Sequence, residues 1–399
     1  MSLIGLISLM GLMSCSGTPE TPETPVEKAV GFAAHFAEGD EGVRAATRAV
    51  GDGELTTDLL KEKGFGVYCW YTGTETFDPG FTEPKTHISD YLGEGFVLMY
   101  NQKVEWDDET WGYSPEKYWP LAADEKLTLR AYAPYTTYLL TDAHGMPLLP
   151  VVVTPGDYHN GTQHDPLWGT GLHDGMADED DATTRNEVYG KLYDNYTYTM
   201  SGSQLAKDER DGIIDWYFHH GMASLMFACG ITPDPGCNKV TITGFSVTPL
   251  YTEGGLSLNS KAEKRDNGID KPTWEQCDGD MEVVFEGGDL RTYPDPLDIL
   301  INPSGATDAV NLLSKGLLII PRTYTGTNQM TVTLTYTVDG ESDPQTAVGT
   351  ITREFRGNTS YTLNLSLTPA TRGLEISLVQ SAFTQWKDGG TGAHTTYNW

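Results

Sequence analysis

Residues 330–338 read MTVTLTYTV, where Met330, Val332, Leu334, Tyr336 and Val338 alternate with Thr331, Thr333, Thr335 and Thr337. Successive side chains of a β-strand point to opposite faces, so this run buries one apolar face and turns hydroxyls outward on the other. A helix would scatter the same residues around its circumference, and β-branched threonine disfavours it. Such a run demands a sheet to pair with. The pattern recurs at Tyr361, Leu363, Leu365 and Leu367, and again at Leu374, Ile376 and Leu378. Val240 and Ile242 alternate, Gly244 intervenes, and Phe245 and Val247 resume in the shifted phase, which predicts a β-bulge. Shorter runs predict strands over 66–71, 95–100, 127–133, 215–218, 281–285 and 317–320. Helical periodicity is confined to 55–63 and 306–314.

Short strands set between Gly, Pro and Asp clusters predict an all-β fold of β-sandwich domains with long loops and few short helices. A chain of 399 residues with 38% hydrophobic and 11% aromatic content can fill two such cores. The loop between Cys229 and Cys237, GITPDPG, carries two prolines and two glycines and marks the boundary. The expected units are 1–15, a leader; 16–53, a tether with one strand; 54–234, a first sandwich; and 235–399, a second. The longest polar excursion is 147–188.

Residues 3–13 form an apolar run too short to span a bilayer and suited to a signal peptide. It ends in Leu12-Met13-Ser14-Cys15, which is similar to a bacterial lipobox. Cys15 is the candidate lipidation site, because its thiol would take a diacylglycerol and its freed amine a further acyl chain. The leader carries no Lys or Arg before that point, so the true start is expected upstream. The Thr/Pro/Glu stretch that follows reads as an extended tether.

Lys plus Arg number 26 against 56 Asp plus Glu, a formal charge of −30. That field repels phosphate backbones and anionic lipid, which excludes nucleic acid as a partner class and leaves the lipid anchor as the membrane contact. Beyond Cys15 the cysteines are Cys69, Cys229, Cys237 and Cys277, without the paired spacing of a zinc site. Cys229 and Cys237 are the disulfide candidates, with free thiols and other connectivities the alternatives.

His159, His164, Asp165, His173, Asp174, Asp178, Glu179, Asp180 and Asp181 could in principle hold a metal. Their spacing matches no metal motif, and a solvated loop is the preferred reading. His219 and His220 follow the strand Trp216-Tyr217-Phe218, where one imidazole should face inward and be hydrogen-bonded. No nucleophile elbow, P-loop or nucleotide-binding glycine loop occurs, so neither catalytic residues nor a cofactor is expected.

Residues 42–53 read GVRAATRAVGDG. Glycines surround it and no apolar stripe supports a helix. Between a strand-like 29–36 and the first domain strand it is either a plain linker or an exposed protease loop, with Arg48 the favoured cut and Arg44 the second choice.

Several segments together resemble the fimbrillin-like proteins of Bacteroidales, the lipoprotein precursors of type V pili and related adhesins. They are 30–36 with Thr47-Arg48-Ala49; 65–72, FGVYCWYT; Met99-Tyr100-Asn101-Gln102 through Trp111-Gly112-Tyr113-Ser114-Pro115 to Tyr118-Trp119-Pro120; Ala131-Tyr132-Ala133-Pro134-Tyr135; His164-Asp165-Pro166-Leu167; 216–225; 316–321; and 374–386. The resemblance implies two transthyretin-like domains, no enzymatic activity and an outer-membrane, cell-surface location. It also implies removal of the N-terminal strand by an Arg-specific protease, followed by donor-strand exchange with other pilus subunits, with Val30, Phe32 and Phe36 as insertable anchors. In such proteins the donor comes from the C-terminus, and here 387–399, KDGGTGAHTTYNW, alternates poorly. That points to a tip or accessory subunit. The rival expectation is a surface lipoprotein that binds glycan or protein ligands and never polymerises.

Overall fold

The alternating runs do form strands, and their inward residues fill two separate cores. The structure is a computed structural model that describes residues 29–36, 57–73, 96–120, 125–143, 145–160, 162–170, 193–194, 197–201, 213–232, 237, 239–258, 264–265, 268–269, 272–287, 290, 298–300, 309–313, 316–339 and 341–382. In chain order the first strands are β1 (Gly31–Phe36), β2 (Phe65–Gly73), β3 (Phe96–Trp106), β4 (Trp111–Gly112), β5 (Lys126–Ala133), β6 (Leu140–Thr141), β7 (Pro147–Val152) and β8 (Leu167–Thr170). There follow β9 (Tyr193–Asp194), β10 (Thr197–Ser201), β11 (Ile213–His220), β12 (Ala223–Ile231), β13 (Lys239–Leu250), β14 (Glu253–Ser257), β15 (Lys264–Arg265), β16 (Gly268–Ile269), β17 (Trp274–Asp278) and β18 (Met281–Glu286). The last are β19 (Asp298–Leu300), β20 (Val310–Asn311), β21 (Leu317–Ile319), β22 (Arg322–Thr323), β23 (Met330–Val338), β24 (Gln345–Ile351), β25 (Glu354–Phe355), β26 (Thr359–Thr368) and β27 (Gly373–Ala382). Two short α-helices, Thr57–Lys63 and Pro155–Asn160, stand among them. The all-β expectation holds.

The first sheet has nine strands in the order β2-β3-β4-β1-β11-β8-β5-β10-β9, and β2 also pairs with β5. That extra pairing closes the path β2-β3-β4-β1-β11-β8-β5 on itself, so this sheet is a ring. Phe65, Val67, Leu127, Leu129, Trp216 and Phe218 fill its core. The second sheet has ten strands, with β18-β13-β23-β24-β27-β26-β12-β20 as its main path. Its core holds the residues that alternation singled out: Met330, Val332, Leu334 and Tyr336 together with Tyr361, Leu363, Leu365 and Leu367. The β13–β23 register shifts between Ile242 and Gly244, which is the bulge read from the phase slip. A four-stranded sheet, β17-β14-β7-β6, joins segments from both halves.

Two expectations need correction. The helix expected at 306–314 is replaced at its centre by strand β20, because Val310 and Asn311 pair with Cys229 and Ala228 of β12. Tertiary pairing overrides the weak local propensity there. The excursion 147–188 is not a plain polar loop: it opens with β7, whose Leu148, Leu149 and Val151 are buried. Pro147 and Pro150 disguise this strand as loop, and it sits where Gly255 and Leu256 of β14 pair with it. Val151, Val153 and Tyr158 pack in the second core, as do Ala223, Leu225, Phe227, Cys229 and Ile231 of β12, so that core draws on residues from both sides of position 235.

Candidate functional site

Strand β1 is six residues long and lies parallel to β11, with Gly31 opposite Ile213, Phe32 opposite Ile214 and Phe36 opposite Phe218. Its neighbours in the ring otherwise run antiparallel. On its other edge the ladder contact is brief: Phe32 pairs with Trp111 of β4, and Ala29 makes an isolated bridge with Tyr118. β1 therefore completes the ring between β11 and the short β4.

Alternation places Val30, Phe32 and Ala34 inward, at 1%, 5% and 6% exposure. The Phe32 ring meets Phe65 edge-on at 6.1 Å and Tyr113 at 5.4 Å, and Phe65 continues the aromatic layer to Trp111 at 5.0 Å and Phe218 at 5.5 Å. Burying Val and Phe side chains contributes roughly 1.5–3 kcal/mol each. Gly31 permits the close approach to β11, since a Cβ there would stand 3.0 Å from Ile213 Cγ1.

The segment after β4 grips the start of β1. The Val30 amide donates to Lys117 O at 2.8 Å, and the Tyr113 hydroxyl donates to Val30 O at 2.8 Å. Burial pushes the Tyr113 phenol up to about 12, against a hydrogen bond with Lys117 that lowers it. The neutral, donating form is thus favoured in the slot. Nothing in the local sequence marks Trp111, Tyr113 and Tyr118 for this role beyond the density of aromatics beside an otherwise polar stretch.

The other edge of the slot leads to the junction between the sheets. β11 ends at His220, and after Gly221 and Met222 the same ribbon enters the second sheet as β12. The Met222 amide donates to Asp165 Oδ1 at 2.9 Å, and Asp165 Oδ2 lies 2.6 Å from His220 Nδ1. The Gly221 amide donates to Pro166 O at 2.8 Å, and Gly221 O accepts from Trp274 Nε1 at 2.9 Å. His219 is buried beside Trp168, with rings 5.6 Å apart. Both imidazoles of the pair therefore face protein, where one was expected to. Buried polar groups need such partners, and here the partners pin the joint.

The remaining expected residues are scattered. His159 is exposed on its helix with its ring 5.3 Å from Phe285, and His164 is exposed, while Asp165 is committed to the joint. No group of three or more metal-ligating side chains occurs among the described residues. His173, Asp174, Asp178, Glu179, Asp180 and Asp181 lie outside the described residues, as do Cys15, Arg44 and Arg48. Of the expected anchors Val30 and Phe32 are buried, and the Phe36 side chain is not described. Cys229 and Cys237 stand as separate free thiols, Cys229 Sγ near Gly230 O and Cys237 Sγ near Lys239 O. Burial pushes the Cys229 thiol up to about 12. Among the described residues no helix is long and apolar enough to cross a membrane.

No protein-family model matches the chain. Fimbrium subunit Fim1C of Phocaeicola vulgatus is 28% identical over 245 residues, which is 60% of this chain and 55% of that protein. The match thus spans about half the length of that curated relative. A fimbrial protein of Bacteroides vulgatus has a similar fold, with TM-score 0.52 at 15% identity, covering 89% of this chain and 99% of that one. The resemblance to Bacteroidales fimbrillin-like proteins therefore holds on two grounds: a fimbrium subunit is similar in sequence, and a fimbrial protein is similar in fold.

Proposed function

We propose that this chain is a cell-surface fimbrial subunit or adhesin that assembles with other pilus subunits by exchanging β1 for a donor strand. The observation that carries the proposal is the position of β1: a parallel strand that closes a ring and is held along one edge with only short contacts on the other. An emptied slot would expose the apolar faces around Phe65 and Phe218 and the open edge of β11. Proteins are stable by only about 5–15 kcal/mol, and losing two large buried side chains is a sizeable part of that. The slot is consequently stable when filled, and an incoming extended strand with alternating apolar residues satisfies both its edge and its pockets.

In this proposal Cys15 is acylated and anchors the precursor in the outer membrane. An Arg-specific protease cuts after Arg48, or secondarily Arg44, and frees the segment that carries β1. Each core is a transthyretin-like domain, Cys229 and Cys237 can close into a disulfide during export, and the chain has no enzymatic role. The chain takes a tip or accessory position, which accepts a strand. N-terminal sequencing of the surface form, with and without Arg48→Ala, tests the scheme. A start at Ala49 and oligomer ladders lost in the variant support it. A full-length acylated monomer refutes it.

A further inference from the structure

A second concave site lies away from the β1 slot. Strands β22 and β25 pair with Arg322 opposite Phe355 and Thr323 opposite Glu354, and with β17 and Tyr251 they line an open concavity of about 390 Å³. That volume is within the range of small-ligand sites. Half-buried Tyr251 and Trp274 give it aromatic walls, Phe355 being part of the core, and half-buried Glu275, Glu354 and Arg356 give it planar polar groups beside the buried Arg322.

The polar groups are held in place. The Arg322 guanidinium carbon sits 4.2 Å from the centre of the Tyr251 ring, and Nη1 donates to Asp280 Oδ1 at 2.6 Å. Arg356 Nε donates to Glu354 Oε2 at 2.7 Å. Gln276 holds a left-handed φ of 51° in the wall, and its Nε2 donates to Thr141 O at 3.1 Å. A non-glycine residue in that conformation is strained and persists only where its surroundings fix it.

Charge decides the ligand class. Glu275, Glu354 and Asp280 set three carboxylates against the two guanidiniums of Arg322 and Arg356. With the chain at −30, an anionic ligand meets net repulsion. A guanidinium has five N–H donors, and the pairing of half-buried Arg356 with Glu354 leaves donors over, while Arg322 is buried and acts by fixing Tyr251 and Asp280. Neutralised donors and acceptors interleaved with aromatic faces suit a ring with hydroxyls on its rim and C–H groups on its face.

We infer that this pocket binds a neutral pyranose unit of a glycan. The inference does not rest on strand exchange, since a subunit that only polymerises needs no such cavity, and it is tested on the uncleaved monomer. Saturation-transfer NMR on the full chain would use methyl glycosides of glucose, galactose, mannose and N-acetylglucosamine, with glucuronic acid, N-acetylneuraminic acid and a Glu-rich peptide as contrasts. The expected result is transfer from at least one neutral glycoside, strongest at its ring C–H protons and insensitive to salt. Arg356→Gln and Glu275→Gln should each weaken it about tenfold, equivalent to ~1.4 kcal/mol. Arg356→Lys, which keeps the charge and loses the fork, serves if the Gln variant fails to fold. Silence from every neutral glycoside, binding confined to the acidic sugars or the peptide, or unchanged binding in folded variants would each overturn the inference.

Discussion

Strands β1 and β12 share the pairing geometry that is rare in this molecule, since each lies parallel to its long neighbour, yet they are built for opposite ends. β12 is nine residues long, pairs with β26 along its full length, and has β20 and β21 on its other edge. It continues directly from β11 through a joint fixed by Asp165, Pro166 and Trp274. β1 is six residues long, has one full edge, and is tied on the other by Trp111, Tyr113, Lys117 and Tyr118. Stability is not uniform across a structure, and strands with fewer partners open at lower free energy. The contrast teaches that two parallel strands can differ widely in what holds the second edge, and the strand-exchange proposal rests on that difference.

The largest effect should come from β12. Phe227 is 1% exposed with its ring 4.7 Å from Phe245, so Phe227→Ala should cost about 3–5 kcal/mol of global stability, read from chemical denaturation. Phe32→Ala removes a similar side chain from β1, but its cost should be local. Amide exchange at 213–218 should accelerate about a hundredfold, roughly 3 kcal/mol, while β12 keeps its protection. Equal loss of protection in both strands would break the comparison.

Asp165→Ala acts between the two. It leaves the buried Met222 amide and His220 without their carboxylate, at a cost of about 1–3 kcal/mol, and should split thermal unfolding into two calorimetric steps. The smallest effect is that of pH on the grip of Tyr113. Its phenol is raised from 10.0 to about 12, chiefly by burial, so the grip is complete below pH 10 and is lost as pH rises through about 12. Burial raises the Tyr68 and Tyr132 phenols as well. Exchange at 213–218 should therefore rise on alkaline titration, and Tyr113→Phe should remove the part of that rise that follows the phenol.

The sequence made the second sheet legible because β23 and β26 are buried on one face and alternate cleanly, and the bulge at Gly244 of β13 followed from the slip of phase. The runs around Leu127–Ala133 and Trp216 gave strands without a topology, since both faces of β5 are buried and alternation vanishes there. β7 was hidden by its prolines. The role proposed for β1 came only through family resemblance: Val30, Phe32 and Ala34 alternate, but nothing local tells that β11 will pair with them in parallel from far along the chain. The glycan pocket was illegible, because Arg322, Trp274 and Arg356 converge from separate strands with no shared motif.

The most direct test of the separable strand is to cut the purified chain after Arg48 with a trypsin-like protease and add an isotopically labelled peptide of residues 28–37. Native mass spectrometry follows the exchange, and amide exchange follows the two sheets. The account predicts that the labelled peptide replaces the resident fragment while the β12 and β26 amides stay protected. A fragment that can be displaced only when both sheets lose protection together would contradict it.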